Sequence, residues 1–492
     1  MPTSAPPTFA TPFRAAEHHP ARGAKAVNWN LKGGLFVLTY ELKKQPGLPL
    51  YEALYRCIRE DILSGRLAPG TKLPSKRALC ANLEVSKITV EGAYQQLLAE
   101  GYIRSVEKVG YFIENVERIS AVSVPEQPPR EEEKHLVDLT ANGSAGFPFS
   151  VWSRLQREVV LDLGQSLLQP MPNQGLWELR SAIAAHLAQF RGMQVSARNI
   201  LIGAGTDFLY NLLIQLLGRQ KQYAVEEPGY TKIRRIYAAA GACCVGAEMD
   251  GSGIRPEMLD DAQVLHLSAS HHFPTGIIMP LSRRQALLSW VTAQPDRWII
   301  EDDYDSEFRF NARPMPALQS LDRQGRVIYM NTFSKTLAPS IRISYMVLPE
   351  SLMAQFHREL GFYSCTVPSF EQHTLARFIS QGYFEKHINR MRKFYKARRN
   401  RVLSAIQSSP LAHMLTIREE NAGLHFLVRV ESALEDRELV DYCAKAGIRV
   451  RNLGSYYHSK VPDKDKKTLV VNYSGLTDED IEKLEEILQK GI

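Results

Sequence analysis

Leu54, Ile58 and Ile62 recur at four-residue steps through Tyr51 to Leu63, one apolar stripe on an otherwise polar run. That spacing predicts an amphipathic helix, which Ser64-Gly65 ends. Pro74-Ser75 opens a second short helical pattern through Leu83, Glu84-Val85 makes a tight turn, and Ser86 is placed to cap a third helix running to about Glu100. Beyond Gly101, the segments 102–106 and 110–113 bracket Glu107-Lys108-Val109, which suits a β-hairpin. Helix, helix-turn-helix and hairpin in that order predict a winged DNA-binding unit.

A different pattern follows. The stretch 114–136 contains Pro125, Pro128, Pro129 and the acidic run Glu131-Glu132-Glu133, with too little apolar content to pack, and is expected to be a linker. Past it, a helical pattern from Trp177 to Gln189 alternates with short apolar runs at 200–202, 264–267, 298–300 and 327–330. Such alternation predicts an α/β domain with a mostly parallel sheet over 137–492. Residues 1–36, rich in Ala, Pro and Thr without a period, are expected to form a mobile extension, which leaves 37–113 for the winged unit.

The chain has 492 residues, of which 44% are hydrophobic and 23% charged, enough for two or three domains with cores of their own. No run approaches the roughly 18 apolar residues of a membrane span. The six cysteines are scattered without metal-ligand spacing, so reduced thiols and a cytoplasmic location are expected. A net charge of +7 permits contact with polyanions without requiring it. Between 51 and 113, nine basic side chains face seven acidic ones, so placement carries the DNA argument. Lys72, Lys76, Arg77, Lys87, Arg104 and Lys108 fall at the helix starts and the hairpin, where phosphates or base edges would be met. The same spacing also suits a helical domain that mediates protein contacts. Glu91 in the third helix could accept from a cytosine, but is expected simply to face solvent.

The chemistry centres on the run Asn331 to Arg342. Lys335, flanked by hydroxyls and followed by an arginine fork, suits an aldehyde cofactor bearing a phosphate, with pyridoxal 5′-phosphate (PLP) the evident candidate. Thr332, Ser334 and Arg342 lie where phosphate oxygens could be held. Upstream, Trp298 to Phe308 begins as a buried strand and ends in a carboxylate cluster, where sheets of this class bind ligands. Asp302 could keep a pyridine nitrogen protonated and Tyr304 could donate to a ring oxygen, though the cluster alone also admits a metal site or a solvated strand end. Gly203-Ala204-Gly205-Thr206-Asp207, between a strand and a helix, offers backbone N–H groups to phosphate. Tyr230 could stack on a flat ring. The adjacent His271 and His272 cannot readily share a metal and predict a structured loop.

These segments resemble a known family. Ile62 to Gly70, Lys72 to Arg77, Val85 to Val90 and Leu98 to Tyr102 are similar to the winged helix-turn-helix of GntR-type bacterial regulators. That resemblance implies DNA contacts from Ser75, Arg77, Lys87 and Thr89, with Gly110 in the wing. Lys87 stands where many members carry Arg, which keeps the charge but loses the bidentate fork. Glu301 to Phe308 and Thr332 to Pro339 resemble the fold-type I aminotransferase domain of the MocR-type subfamily, a likeness that runs from about Leu136 to the end. It implies that Lys335 carries the Schiff base, Asp302 pairs with the pyridine nitrogen, Tyr304 meets the ring hydroxyl and Tyr230 stacks. It further implies that Arg342, Thr206, Asp207 and Thr332 hold phosphate, and that the protein is a head-to-tail homodimer.

Phe273 precedes Pro274-Thr275-Gly276 where ordinary aminotransferases have an asparagine, and 170–175 lacks their tyrosine-glycine start. The expectation is a PLP-dependent transcriptional regulator that senses PLP or an amino compound and retains at most transimination or a half-reaction. The rival is a working aminotransferase with an accessory DNA-binding domain. Arg449 and Arg451 are candidates for an effector carboxylate, with a solvated surface role equally open.

Overall fold

In the computed structural model, residues 38–40, 42, 49–116, 136–143, 146–259, 261–310, 315–420 and 423–490 are described. The expected extension at 1–36 lies outside them, as does nearly all of the expected linker. The chain divides into two compact units, Met1–Glu131 and Glu132–Ile492.

The first unit holds α1 (Leu50–Leu63), α2 (Lys76–Leu83), α3 (Lys87–Ala99), β1 (Ile103–Val106) and β2 (Gly110–Ile113). The apolar stripe of α1 is buried: Leu54, Ile58 and Ile62 pack with Val90, Ala93, Tyr94 and Leu97 of α3. Ser75 caps α2, accepting from the Ala78 amide at 3.2 Å, and Ser86 caps α3, accepting from the Thr89 amide at 3.2 Å. Glu84 turns the chain between them with φ of 50°. The wing is the antiparallel pair β1–β2, with Ile103 opposite Ile113. Residues 114–116 belong to this unit, not to the linker assigned them from composition: the Glu114 amide bonds the Tyr102 carbonyl at 3.0 Å and Val116 packs on the core.

The second unit continues with β3 (Val137–Asp138), α4 (Phe149–Leu163), α5 (Trp177–Arg191), β4 (Ile200–Gly203), α6 (Thr206–Leu217), β5 (Gln222–Glu227) and α7 (Thr231–Ala239). Next come β6 (Cys243–Asp250), β7 (Gly253–Ile254), β8 (Val264–Leu267), α8 (Leu281–Thr292), β9 (Trp298–Asp302), α9 (Leu318–Leu321), β10 (Val327–Thr332), α10 (Phe333–Thr336) and β11 (Ser344–Val347). A large sheet runs β4-β11-β10-β9-β8-β5-β6-β7, parallel from β10 to β6 and antiparallel where β11 and β7 join. The apolar runs foreseen as strands are its buried centre, since helices cover both faces and every position of β8, β9 and β10 is buried.

The helices α11 (Glu350–Glu359), α12 (Ser369–Ser380) and α13 (Tyr383–Gln407) lead to a smaller lobe. It consists of β12 (Leu415–Arg418), β13 (His425–Val430), α14 (Asp436–Lys445), β14 (Ile448–Arg449), β15 (Arg451–Asn452), β16 (Thr468–Asn472) and α15 (Asp478–Gln489). Its sheet order is β12-β13-β16-β15, and β14 pairs with β3. Among the described residues, no helix is long and apolar enough to cross a membrane.

Candidate functional site

The carboxyl ends of β9 and β10 bring the predicted chemistry together, because adjacent parallel strands deliver their last residues to one edge of the sheet. Strand β10 turns into the short α10, which carries Lys335. The Lys335 Nζ donates to Asn142 Oδ1 at 2.5 Å, and Asn472 Nδ2 donates to the same oxygen at 3.1 Å. Burial lowers the lysine pKa, outweighing the nearby Asp305 carboxylate, so the neutral amine is more accessible than in a solvated lysine.

Asp302 closes β9 as a buried carboxylate. Its Oδ2 accepts from the Tyr210 hydroxyl, with His266 Nε2 3.6 Å away, while Oδ1 is buried with no partner. An acceptor without a donor is costly in a dry site, so Oδ1 fits a ligand N–H such as a pyridinium. His266 is in turn fixed by the Tyr237 hydroxyl at 2.6 Å from Nδ1. Tyr304 lies 3.4 Å from His271 Nδ1, and desolvation, then Asp305, push its phenol well above the usual range, so it is held as a donor.

The expected phosphate residues differ in the partners they already have. Gly205 precedes α6 with φ of 90°, and a Cβ there would lie 2.1 Å from Arg342 Nη2, so only glycine lets the guanidinium rest against the turn. Arg342 itself adopts φ of 49°, an uncommon left-handed conformation for a side chain of that size. Thr332 also shapes the elbow: its hydroxyl accepts from the Ser334 amide at 3.1 Å and from Ser344 Oγ at 2.8 Å, roles that leave its own O–H as a donor. The free buried hydroxyl is that of Ser334. The Asp207 carboxylate pairs with Lys232 at 2.6 Å and Arg342 at 3.5 Å and can only accept, so its means of meeting a phosphate is the backbone. Its amide, with that of Thr206, remains at the uncapped start of α6. The Thr206 hydroxyl engages Tyr210.

Tyr230 is 47% exposed and meets Phe273 edge-on at 6.0 Å, while Phe273 meets Tyr456 at 5.2 Å. His271 Nδ1 bonds Asp305 at 2.8 Å and His272 Nδ1 bonds Thr275 at 2.6 Å, so the paired histidines serve separate partners. Burial, then His271, lowers the His272 pKa to about 3. The effector arginines are not brought to Lys335 by any contact. Arg449 pairs with Asp138 at 3.3 Å, and Arg451 lines a trough beside Tyr456. Asn142, Tyr210 and His266 had no local signal; they arrive from remote segments.

In the winged unit, Ser75, Arg77 and Lys87 are exposed and Thr89 half-buried along the α2–α3 face. Gly110 starts β2 at φ of 137°, with the Lys72 side chain 3.1 Å from where a Cβ would stand. Glu91 does not simply face solvent. It pairs with Lys76 at 2.7 Å, and that bond lowers its carboxyl pKa, tying α3 to α2. Arg104 is likewise paired, with Glu114 at 3.0 Å. Ile88, missed from sequence, is 82% exposed at the start of α3.

Comparison with known proteins agrees with this geometry. The model of the bacterial regulatory proteins of the gntR family matches residues 50–113, and that of aminotransferase class I and II matches 134–488. The HTH-type transcriptional regulator YdeL of Bacillus subtilis (strain 168) is 38% identical over 453 residues, covering 90% of this chain and 97% of its own. The probable rhizopine catabolism regulatory protein MocR of Rhizobium meliloti is 33% identical, covering 88% and 92%. The pyridoxine biosynthesis regulator PdxR of Corynebacterium glutamicum is 31% identical, covering 81% and 87%. Among solved structures, a Pyrococcus horikoshii kynurenine aminotransferase superposes with a TM-score of 0.63 at 25% identity, covering 73% of this chain and 92% of that one. A winged helix-turn-helix of the GntR type followed by a fold-type I aminotransferase domain, in one chain and along the length of such relatives, makes this protein a member of the MocR-type subfamily of GntR transcriptional regulators.

Proposed function

We propose that the aminotransferase-like domain binds PLP at Lys335 and reads an amino compound, or the coenzyme itself, to set how a homodimer holds an operator through its two winged helices. The observation that carries this reading is the meeting, at one sheet edge, of a desolvated lysine amine and the partnerless Oδ1 of Asp302. Bound there, PLP supplies an aldehyde for exchange between lysine and an incoming amine, and a ring that withdraws electrons. Asp302 accepts from the ring nitrogen, backed by Tyr210 and His266, while Tyr304 donates to the ring oxygen. Arg342, Ser334 and the first amides of α6 hold the phosphate. Tyr230 covers a ring face, and Asn142 orients the lysine amine.

Regulation requires differential binding. A ligand changes operator affinity only by the factor with which it prefers one arrangement of the protein, and DNA changes ligand affinity by the same factor. The test is a titration of full-length protein on its own upstream DNA by fluorescence anisotropy, with no ligand, with PLP, and with PLP plus a panel of amines. Borohydride-trapped adduct at Lys335 and an operator affinity that responds to PLP or an amine support the reading. A colourless protein without adduct, or Lys335→Ala responding like the parent, defeats it. Multiple-turnover keto-acid production would favour the working aminotransferase instead; Phe273, beside Tyr230 in place of an amide side chain, speaks for the regulator.

A further inference from the structure

Between the two lobes of the carboxy-terminal unit lies a trough of about 590 Å³ that takes no part in the site at Lys335. Arg235 on α7 forms one wall, from the large lobe; Arg437 on α14 and Arg451 on β15 form the other, from the small lobe. All three are exposed, and among the described residues none has a carboxylate within ion-pair distance. The one acidic side chain in the lining is Asp441. His458 lines the same wall, and desolvation, then Arg234, lower its pKa against the opposing pull of Glu227, with Arg235 a smaller cause in the same direction as Arg234. Thr231 places the start of α7, which no side chain caps, at the edge.

Three guanidinium groups line one trough with Asp441 as the one carboxylate among its described lining residues, an excess of positive charge that water screens only in part. Guanidinium forks suit oxyanions, and a concavity of this volume falls within the range of small-molecule sites, about 300–1,000 Å³. We propose that this trough is a second ligand site, which takes a small molecule bearing two or more anionic groups, a phosphate ester or a di- or tricarboxylate, and clamps the two lobes by bridging Arg235 to Arg437 and Arg451. A clamp of this kind favours whichever lobe arrangement brings the walls together, so its ligand acts on the domain without itself touching Lys335. Tyr456, which lines the trough, also packs on Phe273 and gives the two sites a shared wall.

The test is isothermal titration of full-length protein, with and without added PLP, using inorganic pyrophosphate in one arm and citrate in the other, with ionic strength held at about 0.15 M. The expected result is saturable binding of at least one anion, weakened about tenfold or more in both Arg235→Gln and Arg437→Gln, the loss expected for one charge-assisted contact. Arg358→Gln, on a remote exposed pair, should bind like the parent. The arm that binds more tightly tells phosphate from carboxylate. No saturable heat in either arm, equal weakening by Arg358→Gln, or unchanged affinity in the trough variants would overturn the proposal. Displacement of the anion by a duplex of random sequence would also overturn it, by making the trough part of a DNA surface.

Discussion

Replacing Arg191 by Met should weaken the carboxy-terminal unit more than any change at its surface. The Arg191 Nη2 donates to Asp303 Oδ2 at 2.6 Å and to Ser270 Oγ at 3.1 Å, with side chains 5% and 1% exposed in the ion pair. Tyr329 donates to the same carboxylate oxygen at 2.6 Å. Truncating the arginine strands a buried carboxylate, a loss of about 3–5 kcal/mol. With an unfolding entropy of about 2.1 cal/mol/K per residue, a unit the size of Glu132–Ile492 should melt about 4–7 °C lower. Burial alone would raise the Asp303 pKa; Arg191, then the hydroxyls around it, outweigh burial and hold it below the usual range. The parent therefore has this contribution in full above the unfolded carboxylate value of about 3.9 and loses it as pH falls through the folded value. In Arg191→Met the balance reverses, Asp303 takes up its proton at higher pH, and the deficit against the parent should narrow on acidification. Scanning calorimetry from pH 7 to about pH 5 reads both effects. Adding Asp303→Asn, which keeps an acceptor for Tyr329, should recover most of the loss at neutral pH. A deficit that is constant with pH, or a double variant no more stable than Arg191→Met, would refute the account.

Other consequences are quicker to check. Ser334→Ala should weaken PLP binding about tenfold, the cost of one hydrogen bond to a charged group, while Thr332→Val should chiefly destabilise the β10–α10 elbow; equilibrium dialysis and thermal melting separate the two. Lys87→Ala should lower affinity similarly for all sequences and reduce the salt slope by about 1, measured by anisotropy across a salt series. Ile88→Ser should cost about 1 kcal/mol or more only on operators with thymine opposite the start of α3, since an exposed isoleucine suits the thymine methyl; uracil substitution in the oligonucleotide reports on it. Tyr210→Phe should take from Asp302 Oδ2 its hydroxyl donor and loosen the carboxylate that meets the ring nitrogen, read as weaker PLP binding by equilibrium dialysis.

The winged unit was almost wholly legible from sequence because its determinants are local. Stripe, serine caps and hairpin turn each span a few residues, and the structure uses Ser75 and Ser86 as caps at the foreseen positions. The large sheet was legible as alternation, though its antiparallel members β11 and β7 were not, since strand direction depends on connections that periodicity does not encode. In the site, motif residues were found and their roles were blurred. Thr332 and Ser334 look alike in sequence, and only the position of Ser344, twelve residues beyond Thr332, shows which hydroxyl shapes the elbow. Asn142 reaches Lys335 across 193 residues and Tyr210 reaches Asp302 across 92, distances at which no single-sequence pattern speaks. Glu91 was misread because its partner, Lys76, lies on another helix.

The ion pair between Asp207 and Arg342 has one more implication. A fork left alone beside a helix start would drift into solvent or draw in whatever anion is abundant; the aspartate keeps it seated at half strength, since 3.5 Å is a loose pairing and Lys232 holds the other claim on that carboxylate. An arriving phosphate thus finds its receptor already shaped but must evict an occupant to enter. On the proposed reading, such a threshold sets the coenzyme concentration at which the cradle fills, and the unloaded protein stays intact enough to go on reporting scarcity.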